Sequence, residues 1–400
     1  MEWLVLIVWL LIINGGLGGQ YLLNWMGNQP DFTGGKKIDI SPGVMTWWRE
    51  ISKLIWATVA VTIELIRGKK VKLMWPGYLS LITIIICAFT GVIENIGFFY
   101  LPRYYPPHVY APYVSIYLAL LPFFGKIIFD APIRKEHWFG ISLVITGLSF
   151  PYLPFIIGSN GESSNLFDET AIIWILIING CLLSQHVLNN KTVQTALPGV
   201  GPNALVFWRE IWKMIFITSA LFIMPLVANA MDANMPVRVE AKEFETRILE
   251  KTDIISREQL LDYYTIEKNE YVLRNNISAD DEKTIKSIIK STEYHRFFAL
   301  FEGSILPGNW LPILFVIAAG LTGYVYSFGF FNLSRFAAHF WVPYTNVYLA
   351  VLPLIMIFFD REVTVYQIIG AVVTTIGLMI GVMDYSKNKV VEIEKRNFYK

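Results

Sequence analysis

Of 400 residues, 54% are hydrophobic, 15% aromatic and only 16% charged, with a formal net charge of +1. A soluble chain of this length carries about a quarter charged residues, so this one lacks the polar side chains to cover a water-facing globule. The neutral balance also excludes nucleic-acid binding through bulk charge. The two cysteines, Cys87 and Cys181, lie in apolar runs and offer neither a disulfide framework nor a zinc site.

Ten apolar stretches approach the ~20 residues needed to cross a bilayer. They are 3–23, 44–66, 74–101, 109–129, 138–157, 171–189, 203–228, 309–331, 339–359 and 364–384. The expected fold class is therefore an all-α polytopic membrane protein with ten transmembrane helices. Lys and Arg concentrate in the even-numbered short loops and the C-terminal tail, among them Arg67, Lys69, Lys70, Lys72, Arg134 and Lys135. By the positive-inside rule both termini are expected in the cytosol. The membrane that holds the chain is not specified by its residues.

The first stretch is read as a retained helix, because Glu2 stands where a signal peptide is basic. It carries Asn14 and Gln20. The second holds Arg49, Glu50 and Lys53, whose i, i+3 and i, i+4 spacing lets the three heads share one side of a helix. Counted from the predicted helix start, this box lies one to two turns below the outer mouth. The third stretch carries Glu94 at a similar depth, where an ion pair to Arg49 or Lys53 would offset its desolvation. A carboxylate that gains and loses such a partner could couple transport to protons. In the fourth, Tyr113 and Tyr117 are four apart and expected to face one way, with Pro112 as a kink. The fifth carries Gly140 and Gly147 and reads as a packing surface, with a second copy of the chain as a candidate partner.

The second half repeats this order. Leu11-Ile12-Ile13-Asn14-Gly15 recurs as Leu176-Ile177-Ile178-Asn179-Gly180, and Gln20 is answered by Gln185 beside His186. Leu23-Asn24 is answered by Leu188-Asn189, and the box of the second stretch recurs as Arg209, Glu210 and Lys213. Gly97-Phe98-Phe99 recurs as Gly329-Phe330-Phe331, and Tyr326 takes the place of Glu94. Pro112-Tyr113 and Tyr117-Leu118-Ala119 recur as Pro343-Tyr344 and Tyr348-Leu349-Ala350, with Asn346 between; Gly370 and Gly377 close the unit. Five spans is an odd number, so the second copy is expected to be inverted in the membrane. The domains are then 1–158 for the first five-helix repeat, 171–228 with 306–386 for the second, and a cytosolic tail at 387–400. Inverted repeats are the architecture of secondary transporters.

Between the seventh and eighth stretches lies an insert, 229–305, that holds 15 Asp/Glu and 11 Lys/Arg. Helices are expected at 238–250, 257–264 and 279–293, on the extracytosolic side. Asn276-Ile277-Ser278 is a candidate glycosylation site there.

These blocks resemble the EamA-type family of the drug/metabolite transporter superfamily. The resemblance rests on Arg49 and Arg209, and on Pro122, Asp130, Gly140 and Gly147 with Pro353, Asp360, Gly370 and Gly377. It covers nearly everything outside 229–305, although Asp130 and Asp360 stand where the family often has Gly-Glu. It implies a cavity lined by helices one, three, four and their repeat mates, hence by Asn14, Gln20, Tyr113, Tyr117, Asn179, Gln185, His186, Tyr326, Tyr344, Asn346 and Tyr348.

The expected function is secondary active transport of a small organic solute by alternating access, with the two charged boxes as gates at opposite mouths and Glu94 as a coupling acid. One alternative is a nucleotide-sugar or sugar-phosphate exchanger, disfavoured by cations placed at the mouths rather than the midplane. The other is a non-transporting scaffold or receptor acting through the insert. No metal-ligand motif, P-loop or nucleophile elbow occurs, so no enzymatic activity and no cofactor is expected. The partners expected are the lipid bilayer and the solute, with no nucleic acid.

Overall fold

The N-terminal apolar run forms α1 (Glu2–Gly27). Ser41 then opens α2 (Pro42–Ile66): its Oγ accepts from Val44 N at 3.3 Å, and Pro42 occupies the first position, where no N–H is required. α3 (Tyr78–Tyr100) follows, then α4 (Tyr117–Phe129) and α5 (Lys135–Ser149). Asp168 caps α6 (Glu169–Thr195) by accepting from Ala171 N at 2.7 Å. α7 (Pro202–Asp232), α8 (Leu311–Leu333), α9 (Tyr348–Ile357) and α10 (Val365–Met383) complete the helices of ten or more residues among the described residues.

This computed structural model describes residues 2–35, 40–129, 135–152, 167–232, 238–240, 264–267, 270–273, 298, 300–301, 303–306, 308–334 and 342–383. Asp130, Arg134, Arg335, Asn276 and the tail lie outside them, as does the side chain of Tyr344. The chain divides into two compact units, Met1–Thr218 with Ile305–Lys400, and Ser219–Ser304.

Among the described residues, Tyr78–Arg103, Glu169–Thr195, Pro202–Ala228 and Leu311–Leu333 are long and apolar enough to cross a membrane, and shorter apolar helices accompany them. At 1.5 Å per residue α2 is also long enough, about 37 Å, but it carries Arg49, Glu50 and Lys53. Its two faces are sorted opposite to those of a soluble helix. Ile55, Val59 and Ile63 are exposed, whereas Arg49, Glu50 and Lys53 are at most 3% exposed. Apolar residues outside and charges inside is the arrangement that lipid demands.

The helix pairs are antiparallel, as their contacts show. On α2 and α7, Trp47 bonds Thr218, Glu50 meets Lys213 and Glu64 bonds Asn203, so rising numbers on one meet falling numbers on the other. α3 and α6 pair likewise through Ser80 with Thr192, Cys87 with Asn189, and Glu94 with Gln185. α1 and α8 pack with Gly27 beside Phe315, Gly16 beside Tyr326 and Ile13 beside Gly329. α5 and α10 meet through the glycines spaced seven apart. A Cβ on Gly370 would lie 2.6 Å from Gly147 O, and one on Gly377 2.8 Å from Gly140 O. Those glycine faces, expected as a surface for a second copy, are thus covered within one chain.

The second unit contains a three-stranded antiparallel sheet, ordered β1 (Arg238–Glu240), β3 (Glu270–Leu273), β2 (Tyr264–Glu267). Arg238 pairs with Val272, and Tyr264 with Leu273. The helix expected at 238–250 therefore fails at its start. Val237-Arg238-Val239-Glu240 alternates with period two and is β-branched at every second residue, which suits a strand. Tyr264, expected to end a helix, likewise begins a strand. The rest of 238–250, 257–263 and 279–293 lies outside the described residues.

Candidate functional site: a buried charge cluster

The two boxes form one cluster. Glu50 Oε1 accepts from Arg49 Nε at 3.0 Å and from Asn95 Nδ2 at 2.8 Å, with Lys53 Nζ at 3.5 Å. Glu210 Oε1 accepts from Arg209 Nε at 3.0 Å and Nη2 at 2.7 Å. Lys213 joins them, its Nζ 3.5 Å from Glu50 Oε2 and 3.9 Å from Glu210 Oε2. The expectation of gates at opposite mouths is corrected by this contact. Counting residues from a helix end fixes depth but not neighbours, and antiparallel α2 and α7 bring the boxes level with each other.

Equivalent residues of the two halves make equivalent contacts. Arg49 Cζ lies over the Phe99 ring at 5.2 Å, and Arg209 Cζ over Phe331 at 5.1 Å. Such stacking stabilises a desolvated guanidinium by about 2 kcal/mol. Trp48 Nε1 donates to Ile305 O at 2.9 Å, and Trp208 Nε1 to Met74 O at 2.7 Å. The lysine stems cross to the opposite half: a Cβ on Gly91 would lie 2.6 Å from Lys213 Cε, and one on Gly323 2.5 Å from Lys53 Cε. Only a residue without a side chain leaves that path open.

A cavity of about 20 Å³ lies in the cluster, lined by Lys53, Lys213 and Arg209 and by Gln20, Glu94, Gln185, His186 and Tyr326 among others. That is room for about one water, so the site is closed around its charges. Glu94 does not pair with Arg49 or Lys53 as expected; its carboxylate accepts from Gln185 Nε2. The amide is the nearer partner because α3 packs along α6, while Arg49 is taken up by Glu50. Asn95, Asn189 and Ser327 also line the cavity. Asn189 carried a signal, since Leu188-Asn189 answers Leu23-Asn24, and so did Gly91 and Gly323, which match at the offset that pairs Gly97 with Gly329; Asn95, answered by Ser327, showed only polar character in an apolar run.

Asn14 and Asn179, expected in the lining, instead brace helix breaks. Pro112 lacks an N–H, and the segment Tyr113–Ser115 tightens to a 3-10 turn before α4 begins. Asn179 Nδ2 donates to Tyr113 O at 2.8 Å while its Oδ1 accepts from Tyr117 N at 2.7 Å. Its amide is thus inserted where the helical bond from Tyr117 N to Tyr113 O would run. In the other half Asn14 Oδ1 accepts from Tyr348 N at 3.1 Å, after the 3-10 segment Val342–Asn346. The break also turns Tyr113 and Tyr117 apart, against the expectation of one shared face. Tyr113 OH donates to Leu148 O at 2.9 Å, whereas Tyr117 OH shares a 2.7 Å hydrogen bond with His186 Nε2. Asn346 donates to Val342 O at 3.0 Å, within its own segment, and the Tyr348 ring packs at 5.4 Å from Tyr21.

No family model matches the chain, and no curated protein matches it. One solved structure, described only as "Crystal structure of protein", is similar over 93% of this chain and 99% of its own at 9% identity and a TM-score of 0.47.

Proposed function

We propose that the chain is a secondary active transporter of a small organic metabolite, working by alternating access between two inverted five-helix repeats, as its resemblance to the EamA-type drug/metabolite transporters implies. The observation that carries this reading is the Lys213–Glu50 contact, in which equivalent charged boxes of the two repeats meet in the interior. Inversion is supported by the antiparallel run of repeat mates: α2 against α7, and α5 against α10. The depth also fits. Glu50 lies about 12 Å from the start of α2 and Lys213 about 17 Å from the start of α7. If the two helices enter from opposite faces, those distances add to roughly the 30 Å hydrocarbon thickness. On this reading the termini are cytosolic and the ten-helix count holds.

Lys213 is the pivot of the proposed cycle, since it stands between Glu50 of one repeat and Glu210 of its own. Stripping a buried ion of its partner costs about 3–5 kcal/mol, whereas exchanging one carboxylate for the other avoids that cost. Access would change sides as the ammonium changes partner, and Glu94 is the proposed proton-carrying acid. Uptake by the purified protein in liposomes, against a panel of organic acids, amino acids, nucleosides and sugar phosphates, tests this. Absence of saturable flux for every class would sink it.

The sugar-phosphate exchanger deserves a place as the second reading for one reason. The cations that were expected at the mouths surround the central cavity instead, where that chemistry needs them.

A further inference from the structure

We infer that the cavity between Lys53 and Lys213 receives a solute bearing one negative charge, a carboxylate, which completes the neutralisation of the cluster. This rests on the transporter reading and names its substrate class. Among the described residues, with the proton-carrying Glu94 in its deprotonated state, the cluster holds four cations, Arg49, Lys53, Arg209 and Lys213, against three carboxylates, Glu50, Glu94 and Glu210, none more than 8% exposed. A buried charge without a counter-charge is costly, and here one positive charge is in excess.

The distances locate the excess. Arg49 and Arg209 each sit within 3.0 Å of a carboxylate oxygen. Lys213 Nζ approaches no closer than 3.5 Å and Lys53 Nζ also stands at 3.5 Å, beyond the ~2.7–2.9 Å of a formed ammonium–carboxylate bond. Both ammonium groups line the cavity, and Lys213 is only 2% exposed. His186 adds a donor in the tautomer in which Tyr117 OH donates to Nε2, since the hydrogen then rests on Nδ1, which has no hydrogen-bond partner. A carboxylate fits these donors once the two repeats separate enough to admit it.

Charge then selects. A phosphate monoester near −2 at neutral pH would leave the occupied cluster negative, and a neutral amide would leave it positive. Calorimetric titration of the purified full chain in detergent with acetate, propionate and benzoate, their amides, and glycerol phosphate tests the assignment. Each acid should bind at least tenfold tighter than its amide and than glycerol phosphate. Lys213→Met should abolish acid binding. Glu94→Gln, nearly isosteric, removes one negative charge, so the excess becomes two, and should move the preference toward glycerol phosphate by tenfold or more; it decides the matter if Lys213→Met does not fold. Equal binding of acid and amide, binding of none, or an unchanged preference in Glu94→Gln would overturn the inference. Acid binding without flux in liposomes would sink the transporter reading and leave this site standing. Flux of a neutral solute without acid binding would do the reverse.

Discussion

Lys213 reaches across the molecule to Glu50, its Nζ 3.5 Å from Oε2, while its own neighbour Glu210 stands at 3.9 Å. The contact ties two stretches of sequence 160 positions apart that carry the same Trp-Arg-Glu-Ile motif. Removing either partner leaves the other charge buried. Glu50→Gln should therefore lower stability by about 3–5 kcal/mol, read as a fall in thermal midpoint in detergent. Glu50→Gln combined with Lys213→Met should lose less than the sum of the single losses. Strict additivity would mean that the pair is not coupled.

Gly91→Ala and Gly323→Ala form a matched pair. Each new Cβ would press on a lysine Cε, at 2.6 and 2.5 Å. Overpacking of this kind costs about 1–3 kcal/mol, and here it also displaces the ammonium that faces the cavity. Both variants should reduce solute uptake by at least tenfold while remaining folded. A wild-type uptake rate in either would show that the lysine positions are not critical.

Asn179→Ala removes the amide that bridges Tyr113 O and Tyr117 N. Two backbone groups then lose partners in a low-dielectric interior, at about 1–3 kcal/mol each. Asn179→Ala should lower the thermal midpoint more than Ser184→Ala, whose exposed hydroxyl bonds only its own helix at Gly180 O. Equal effects would refute the bracing role.

Glu94 is the proposed proton carrier, and its counterpart in the other half is Tyr326, which cannot serve as a carboxylate. Glu94→Gln should make the remaining uptake independent of external pH. Full retention of pH dependence would remove Glu94 from the coupling.

Much of the membrane unit was legible in the sequence because equivalent residues do equivalent things. The matches of Arg49 with Arg209 and of Trp48 with Trp208 each correspond to paired contacts in space. What was not legible was lateral. Hydropathy gives where a helix starts, so Arg49, Glu50 and Lys53 read as mouth residues; that they face α7 rather than lipid depends on packing between distant segments. The phase of Tyr113 against Tyr117 was lost at Pro112, which changes the residues per turn. The role of Asn14 and Asn179 depended on that same break. In 229–305, helical spacing and capping residues suggested helices, but at Arg238–Glu240 the period-two alternation that begins at Val237 outweighed them.

The most direct measurement of the central claim is solute counterflow into liposomes by the purified chain, beside its Glu50→Gln variant. The account predicts saturable, solute-dependent exchange by the natural chain and at least a hundredfold loss when Glu50 no longer offers Lys213 a partner. Undiminished exchange by Glu50→Gln would contradict it, because the two repeats would then be moving solute without the contact proposed to join them.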